Sequence, residues 1–129
     1  MAMILVVDDN PTNLKLACDV LEMEGHTVER ALNAEDALQV IKRSAFQLIL
    51  MDIELPGMDG LTLTRQLKAD NATRHIPIVA LTSFAMKGDD EKAYAAGCDG
   101  YISKPIDTRK FPAQILKFLE SAKVGKGKP

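Results

Sequence analysis

The stretch Met3-Ile4-Leu5-Val6-Val7-Asp8-Asp9-Asn10-Pro11 decides how this chain is read. An unbroken apolar run comes first, then two acids, then a helix-capping residue and a proline. A continuous apolar run reads as a strand covered on both faces, because a strand with one wet face alternates. Asn10 can accept hydrogen bonds from the first amides of a helix. Pro11 can occupy that helix's first turn, where a missing N–H costs nothing.

The same sentence repeats along the chain. Leu14, Ala17, Cys18 and Leu21 recur at helical spacing, and Gly25 closes that helix. Residues 27–32 form a short strand candidate, and Asn33 caps a helix whose face is Ala34, Ala37, Leu38 and Ile41. Residues 46–51 read as a third strand ending at Asp52. Pro56, Gly57 and Gly60 mark a loop, and a helix is expected over about 58–69, spaced by Leu61, Thr64, Leu67 and Lys68. Pro77 introduces a strand over 78–81 that ends at Thr82, followed by a helix over 87–96 and a stop at Gly97. Residues 101–103 make the last strand, before Lys104-Pro105 and a helix expected from 107 to 122. Strand and helix thus alternate five times with short connections. That pattern predicts an α/β fold, a doubly wound parallel sheet with helices on both faces and right-handed crossovers. It does not give the strand order.

Length and charge narrow the function. A chain of 129 residues is one domain, read as 1–122, with 123–129 as a flexible basic tail. Sixteen Lys and Arg against eighteen Asp and Glu give a net charge of −2. No basic footprint for nucleic acid is present. The opening apolar run is too short for a signal peptide, and no window is long and apolar enough to cross a bilayer. A cytoplasmic protein is expected. Cys18 and Cys98 sit in helix-like stretches without any CxxC, so both read as reduced, buried thiols. His26 and His75 stand apart from the acids and read as surface residues.

The polar chemistry gathers at the carboxyl ends of the strands, where open α/β sheets place their ligands. Asp8 and Asp9 follow the first strand, Asp52 the third, Thr82 the fourth and Lys104 the fifth. Clustered carboxylates repel one another unless a cation intervenes, and Mg²⁺ is suited to a few carboxylate oxygens and a carbonyl. An aspartate is also a competent oxygen nucleophile toward phosphorus. Phosphoryl transfer requires alignment and neutralisation of oxygen charge, which a metal, an ammonium and a hydroxyl supply.

With those residues in place, the chain resembles the receiver domains of bacterial two-component response regulators. The likeness covers roughly residues 3–121. It is carried by Asp8-Asp9, Asp52, Thr82 and Lys104-Pro105 together, in that order and spacing. The stretch from Thr82 through Ser83-Phe84-Ala85-Met86-Lys87-Gly88 to Asp89 is similar to small single-domain cell-division regulators of that family.

The resemblance implies a flavodoxin-like (βα)5 fold with strand order 2-1-3-4-5. It implies Asp52 as phosphoacceptor, and Mg²⁺ held by Asp9, Asp52 and the Glu54 carbonyl, with Asp8 acting through a bound water. Lys104 would pair with Asp52 or its phosphoryl group, Thr82 would move toward a phosphoryl oxygen, and Tyr101 would report that movement by changing rotamer. The Lys104-Pro105 bond would be cis. Such a protein catalyses its own phosphoryl acceptance and slow autodephosphorylation, and acts mainly as a signalling switch.

Residues 123–129 leave no room for an output domain, so output is expected through protein–protein contact by a monomer. Histidine kinases or a phosphotransfer protein are the implied donors, and a diguanylate cyclase is a plausible target. The implied setting is cell-cycle or cell-division control, with a membrane-bound kinase recruiting the chain to the cell pole.

Blander readings stay open for two residues. Glu54 can be a surface charge whose carbonyl alone matters, and Tyr101 can be ordinary half-buried packing. Two other functions compete. One is a receiver-like adaptor that binds partners without phosphorylation. The other is a flavodoxin-like electron carrier, disfavoured because Asp8-Asp9-Asn10-Pro11 is acidic and free of glycine where a flavin phosphate would sit.

Overall fold

Ten elements alternate among the residues described, 2–55, 57–82 and 89–126 of this computed structural model. They are β1 (Met3–Val7), α1 (Pro11–Met23), β2 (Thr27–Ala31), α2 (Ala34–Arg43), β3 (Leu48–Asp52), α3 (Gly60–Ala69), β4 (Ile78–Thr82), α4 (Asp89–Ala96), β5 (Gly100–Ser103) and α5 (Phe111–Lys126). The strands form one sheet in the order β2-β1-β3-β4-β5, and every neighbouring pair is parallel. The expected doubly wound architecture and the strand order implied by the resemblance are both found.

Period-two alternation divides the core between two faces. Ile4, Val6, Leu48, Leu50, Val79, Leu81 and Ile102 join Leu14, Ala17, Cys18 and Leu21 of α1 and Phe111 and Ile115 of α5. Leu5, Val7, Ile49, Met51, Ile78 and Ala80 join Ala37 and Val40 of α2, Leu63 and Leu67 of α3, and Ala93 of α4. The three inner strands β1, β3 and β4 therefore bury both faces, which is why their sequences are almost continuously apolar, whereas the edge strand β2 (TVERA) keeps most of its residues open to solvent. Truncating any one of the large buried side chains, such as Leu50, costs about 2–5 kcal/mol.

Local chemistry sets the helix ends. Asn10 Oδ1 accepts from Thr12 and Asn13 amides, and Asn33 Oδ1 from Asp36. Gly25 and Gly97 have φ of 92° and 110° after α1 and α4, as a left-handed stop requires. At Gly97 the amide donates to the Tyr94 carbonyl while the Cys98 amide donates to Ala93, a Schellman closure.

Several boundaries differ from the sequence reading. α3 begins at Gly60 rather than near 58, because Asp59 takes the cap and its Oδ1 accepts from the Thr62 amide. α5 begins at Phe111 rather than 107. Asp107 spends its groups on the turn that leads into α5, its Oδ1 accepting from the Arg109 amide and its carbonyl from the Lys110 and Phe111 amides. Pro112 then falls in the first turn of α5, where no amide is needed. α5 also runs on to Lys126, into the stretch read as a tail, and residues 127–129 lie outside the described set. The expected start of α4 at 87 lies outside it as well. Cys98 stands just past α4 rather than within a helix, but both cysteines are free and buried as read.

Strand order reverses about β1. The chain passes from β1 to β2 on one side, then crosses to β3 on the other. The crevice at that reversal opens between the carboxyl ends of β1 and β3. Asp8 immediately follows β1 and Asp52 is the last residue of β3, so both stand at its mouth.

Candidate functional site

The sheet brings three of the expected acids together. Asp8, Asp9 and Asp52 each place a carboxylate oxygen within 4.8 Å of the others, with Asp8 and Asp52 buried and Asp9 exposed. Lys104 closes the group from the end of β5. Its Nζ lies 2.9 Å from Asp8 Oδ2 and 3.1 Å from Asp52 Oδ2. The Lys104 amide donates to the Thr82 carbonyl, which extends the β4–β5 ladder one step and fixes the lysine backbone at the rim. The Lys104-Pro105 bond that comes next is cis, as the resemblance implies.

Both oxygens of Asp52 are held. Oδ1 accepts the Glu54 amide at 2.9 Å, and Oδ2 accepts from Lys104. Asp8 is held in a parallel way, its Oδ1 accepting the Asn10 amide at 2.9 Å and its Oδ2 facing Lys104. Burial raises the pKa of Asp8, and this outweighs the lowering by the Asn10 amide and by Lys104. Burial also works against the Lys104 ammonium, but its hydrogen bonds and charge contacts with Asp8 and Asp52 win and raise its pKa. The lysine therefore stays charged beside two buried carboxylates.

Three carboxylates against one ammonium leave an excess of negative charge and a set of hard oxygen donors. That donor set fits a divalent cation such as Mg²⁺ better than a softer metal. Glu54 is exposed, so its side chain turns away to water, and what it contributes to the site is backbone. Thr82 is buried at the end of β4, in register with Ser103. Tyr101 is half-buried against the apolar cluster under α2, α3 and α4, opposite Ala80 in register. A cleft of about 260 Å³ opens beside the lysine, lined by Asn13, Leu16, Lys104, Pro105 and Ile106.

His75 is exposed and precedes the start of β4, the opposite end of that strand from Thr82. His26 is partly buried, its Nδ1 accepting the Ala2 amide at 3.2 Å, so it is a structural acceptor rather than a plain surface residue.

Gly60 matters more to this site than its sequence position discloses. A Cβ there would collide with the Asp52 carbonyl oxygen and stand 2.8 Å from Ile53 Cα. The first residue of α3 thus lies directly on the backbone that carries Asp52. The cluster Pro56, Gly57 and Gly60 signals a loop, but only the fold shows which glycine is pressed against the acid.

Known proteins share the sequence pattern and the fold. Residues 4–116 match the response regulator receiver domain family. The polar-differentiation response regulator DivK of Brucella anthropi is 44% identical over 119 residues, covering 92% of this chain and 97% of that protein. DivK of Brucella ovis is 43% identical over the same length. Among solved structures, a CheY-like response regulator receiver domain protein from Methanospirillum hungatei superposes with a TM-score of 0.87 at 30% identity, covering 97% of this chain and 98% of that one. A two-component response regulator from Clostridium difficile gives 0.86 at 28% identity, with 93% and 97% covered.

Proposed function

This chain belongs to the response regulator receiver domain family of two-component signalling, and from that premise we propose that it is a Mg²⁺-dependent phosphoaspartyl switch with Asp52 as its phosphoacceptor. The observation that carries this reading is the double tether of Asp52 by the Glu54 amide and Lys104.

A nucleophile that is buried and held at both oxygens loses little entropy on reaching the in-line geometry. An Asp52 oxygen attacks the phosphorus of a partner's phosphohistidine, and the P–N bond breaks with its electron pair returning to the imidazole. Lys104 balances charge on the acceptor. The Thr82 hydroxyl lies at the neighbouring strand end, where it can donate to a phosphoryl oxygen.

Asp8, Asp9, Asp52 and the Glu54 carbonyl would hold the metal. When bound, it neutralises charge on the carboxylates and on the transferring group. Asp9 is the exposed member of the three acids, open to a hydrated cation, while Asp8 is buried. This favours Asp9 as the direct ligand and Asp8 as one acting through water.

The phosphodonor is a histidine kinase or a phosphotransfer protein. The cleft of Asn13, Leu16, Pro105 and Ile106 flanks the lysine, and Leu16 is 40% exposed, an apolar footing for a donor beside Asp52. Phosphorylation adds charge and acceptor oxygens at the rim. Thr82 and Tyr101 carry that change to the face made by α4, β5 and α5. The Brucella relatives are named for polar differentiation, which supports a role in cell-cycle or cell-division control. Among the described residues no helix is long and apolar enough to cross a membrane. In this reading the chain works in the cytoplasm as a monomer, and a membrane-bound kinase recruits it to the pole. A diguanylate cyclase is a candidate target.

Incubation with a phosphorylated histidine kinase and Mg²⁺ should add one base-labile phosphoryl group. Chelation of the metal should prevent it, and D52A and D52N should both remain unmodified. Full labelling of D52A would sink the assignment.

A further inference from the structure

Strand parity gathers four residues of β4 and β5 on the face that carries α3 and α4. Ala80 pairs with Tyr101, and Thr82 with Ser103, in the parallel register. Residues two apart on a strand share a face, so Tyr101 and Ser103 follow one another along one face of β5, beside Ala80 and Thr82 of β4. Ala80 is fully buried in the apolar cluster, and Tyr101 packs against the same cluster. A methyl group opposite the ring leaves space that a larger β4 residue would fill. The phenol oxygen is tied separately, because Ser103 Oγ donates to Tyr101 Oη at 3.5 Å.

Ser103 thus has two connections. Register ties it to Thr82, and a hydrogen bond ties it to the Tyr101 ring. We propose that Ser103 is a positioning residue that holds Tyr101 in its half-buried pose and makes that pose responsive to Thr82. The inference rests on the reading of Thr82 and Tyr101 as the switch pair and assigns the residue that links them.

The length of the bond suits that task. At 3.5 Å the contact lies beyond the usual O–H···O range, so a small displacement is enough to make or lose it. A shift of the β4 end at Thr82 moves the Ser103 step beside it, and the ring is then held or released. Without the hydroxyl, Tyr101 Oη turns to water, and the resting ring samples solvent more often.

The chain has two tyrosines and no tryptophan, so Tyr94→Phe leaves Tyr101 as its sole strong emitter. In that background, acrylamide quenching of tyrosine emission reads the exposure of Tyr101. Ser103→Ala should raise quenching in the unphosphorylated protein by roughly twofold, the population change that a weak hydrogen bond carries. Ser103→Thr keeps the hydroxyl and should restore the parent value. Phosphorylation by kinase and Mg²⁺ should change quenching in the parent and change it less in Ser103→Ala, at equal Asp52 occupancy. Identical quenching of parent and Ser103→Ala in the resting protein would overturn the proposal. That comparison needs no phosphoryl group. A failure of Asp52 labelling therefore counts against the switch reading alone, while the resting comparison still decides the role of Ser103.

Discussion

Lys104 Nζ sits 3.1 Å from Asp52 Oδ2, in a pocket where the two side chains are only 11% and 3% exposed. The same ammonium meets Asp8 at 2.9 Å, so one cation serves two buried acids. Lys104→Ala leaves both carboxylates without it. Removing one partner of a buried ionic group costs about 3–5 kcal/mol. Thermal unfolding should show that loss in a chelating buffer. Millimolar Mg²⁺ should then raise the melting temperature of the variant more than that of the parent, because the metal replaces part of the missing charge. Equal melting of the two proteins in chelator would refute the cost assigned to the pair.

Gly60 gives a second test at the same acid, from the backbone side. A Cβ at this position meets the Asp52 carbonyl and Ile53 Cα, neither of which is the flexible end of a side chain. Gly60→Ala should destabilise by about 1–3 kcal/mol, the usual cost of overpacking. Phosphorylation of Asp52 should slow beyond what the folded fraction explains, since the acceptor's backbone must shift. Unchanged labelling kinetics in fully folded Gly60→Ala would show that the contact is relieved elsewhere.

Lys68 offers the contrasting case. Its Nζ donates to the Arg74 and Ile76 carbonyls and to Asp99 Oδ2, at 3.2, 2.8 and 2.9 Å. Asp99 Oδ2 also accepts the Ile78 amide. This lysine gathers the segments that lead into β4 and β5, at the end of the sheet opposite the acids. Lys68→Met should cost about 1–3 kcal/mol, the range for leaving such groups unsatisfied. Asp52 phosphorylation should be unaffected well below the melting temperature. A labelling defect in the folded variant would show that the two ends of the sheet are coupled.

The cysteines give a pH-dependent prediction. Burial pushes the Cys18 and Cys98 thiols up to about 11. At pH 8 roughly one native thiol in a thousand is ionised, so a thiol-reactive dye should label neither until the protein unfolds. Both thiols titrate higher in the folded state than in the unfolded one. Their contribution to stability is therefore complete below the ordinary value of 9.0 and is lost as pH rises toward about 11. Rapid stoichiometric labelling of the native protein at pH 8 would contradict the burial.

These residues also mark how far the sequence can be read. The inner strands β1, β3 and β4 were legible because burial on both faces makes them almost continuous in apolar residues. Asn10 and Asn33 were legible because capping is decided within a few residues. Asp59 and Asp107 were not resolved, since an aspartate can either cap a helix or close the turn that leads into it, and the outcome depends on how the next residues pack. Lys68 read as helix spacing because its acceptors come from two loops that only tertiary folding brings near. At the rim, the residue types and strand ends announced Asp8, Asp9, Asp52, Thr82 and Lys104. The division of labour among them was hidden. That Asp8 is buried and shares a lysine with Asp52, while Asp9 faces water, is a product of the crevice's geometry.

Parity along the strands has one last consequence. Asp52 pairs in register with Leu81, whose side belongs to α1 and α5, whereas Tyr101 pairs with Ala80, whose side belongs to α2, α3 and α4. On the proposed reading the acceptor and the tyrosine are served from opposite sides of the sheet, and α5 borders both the writing side and the reading face. A substitution in α1 can then change which donor is accepted while α4 keeps its listener, whereas a substitution in α5 touches both.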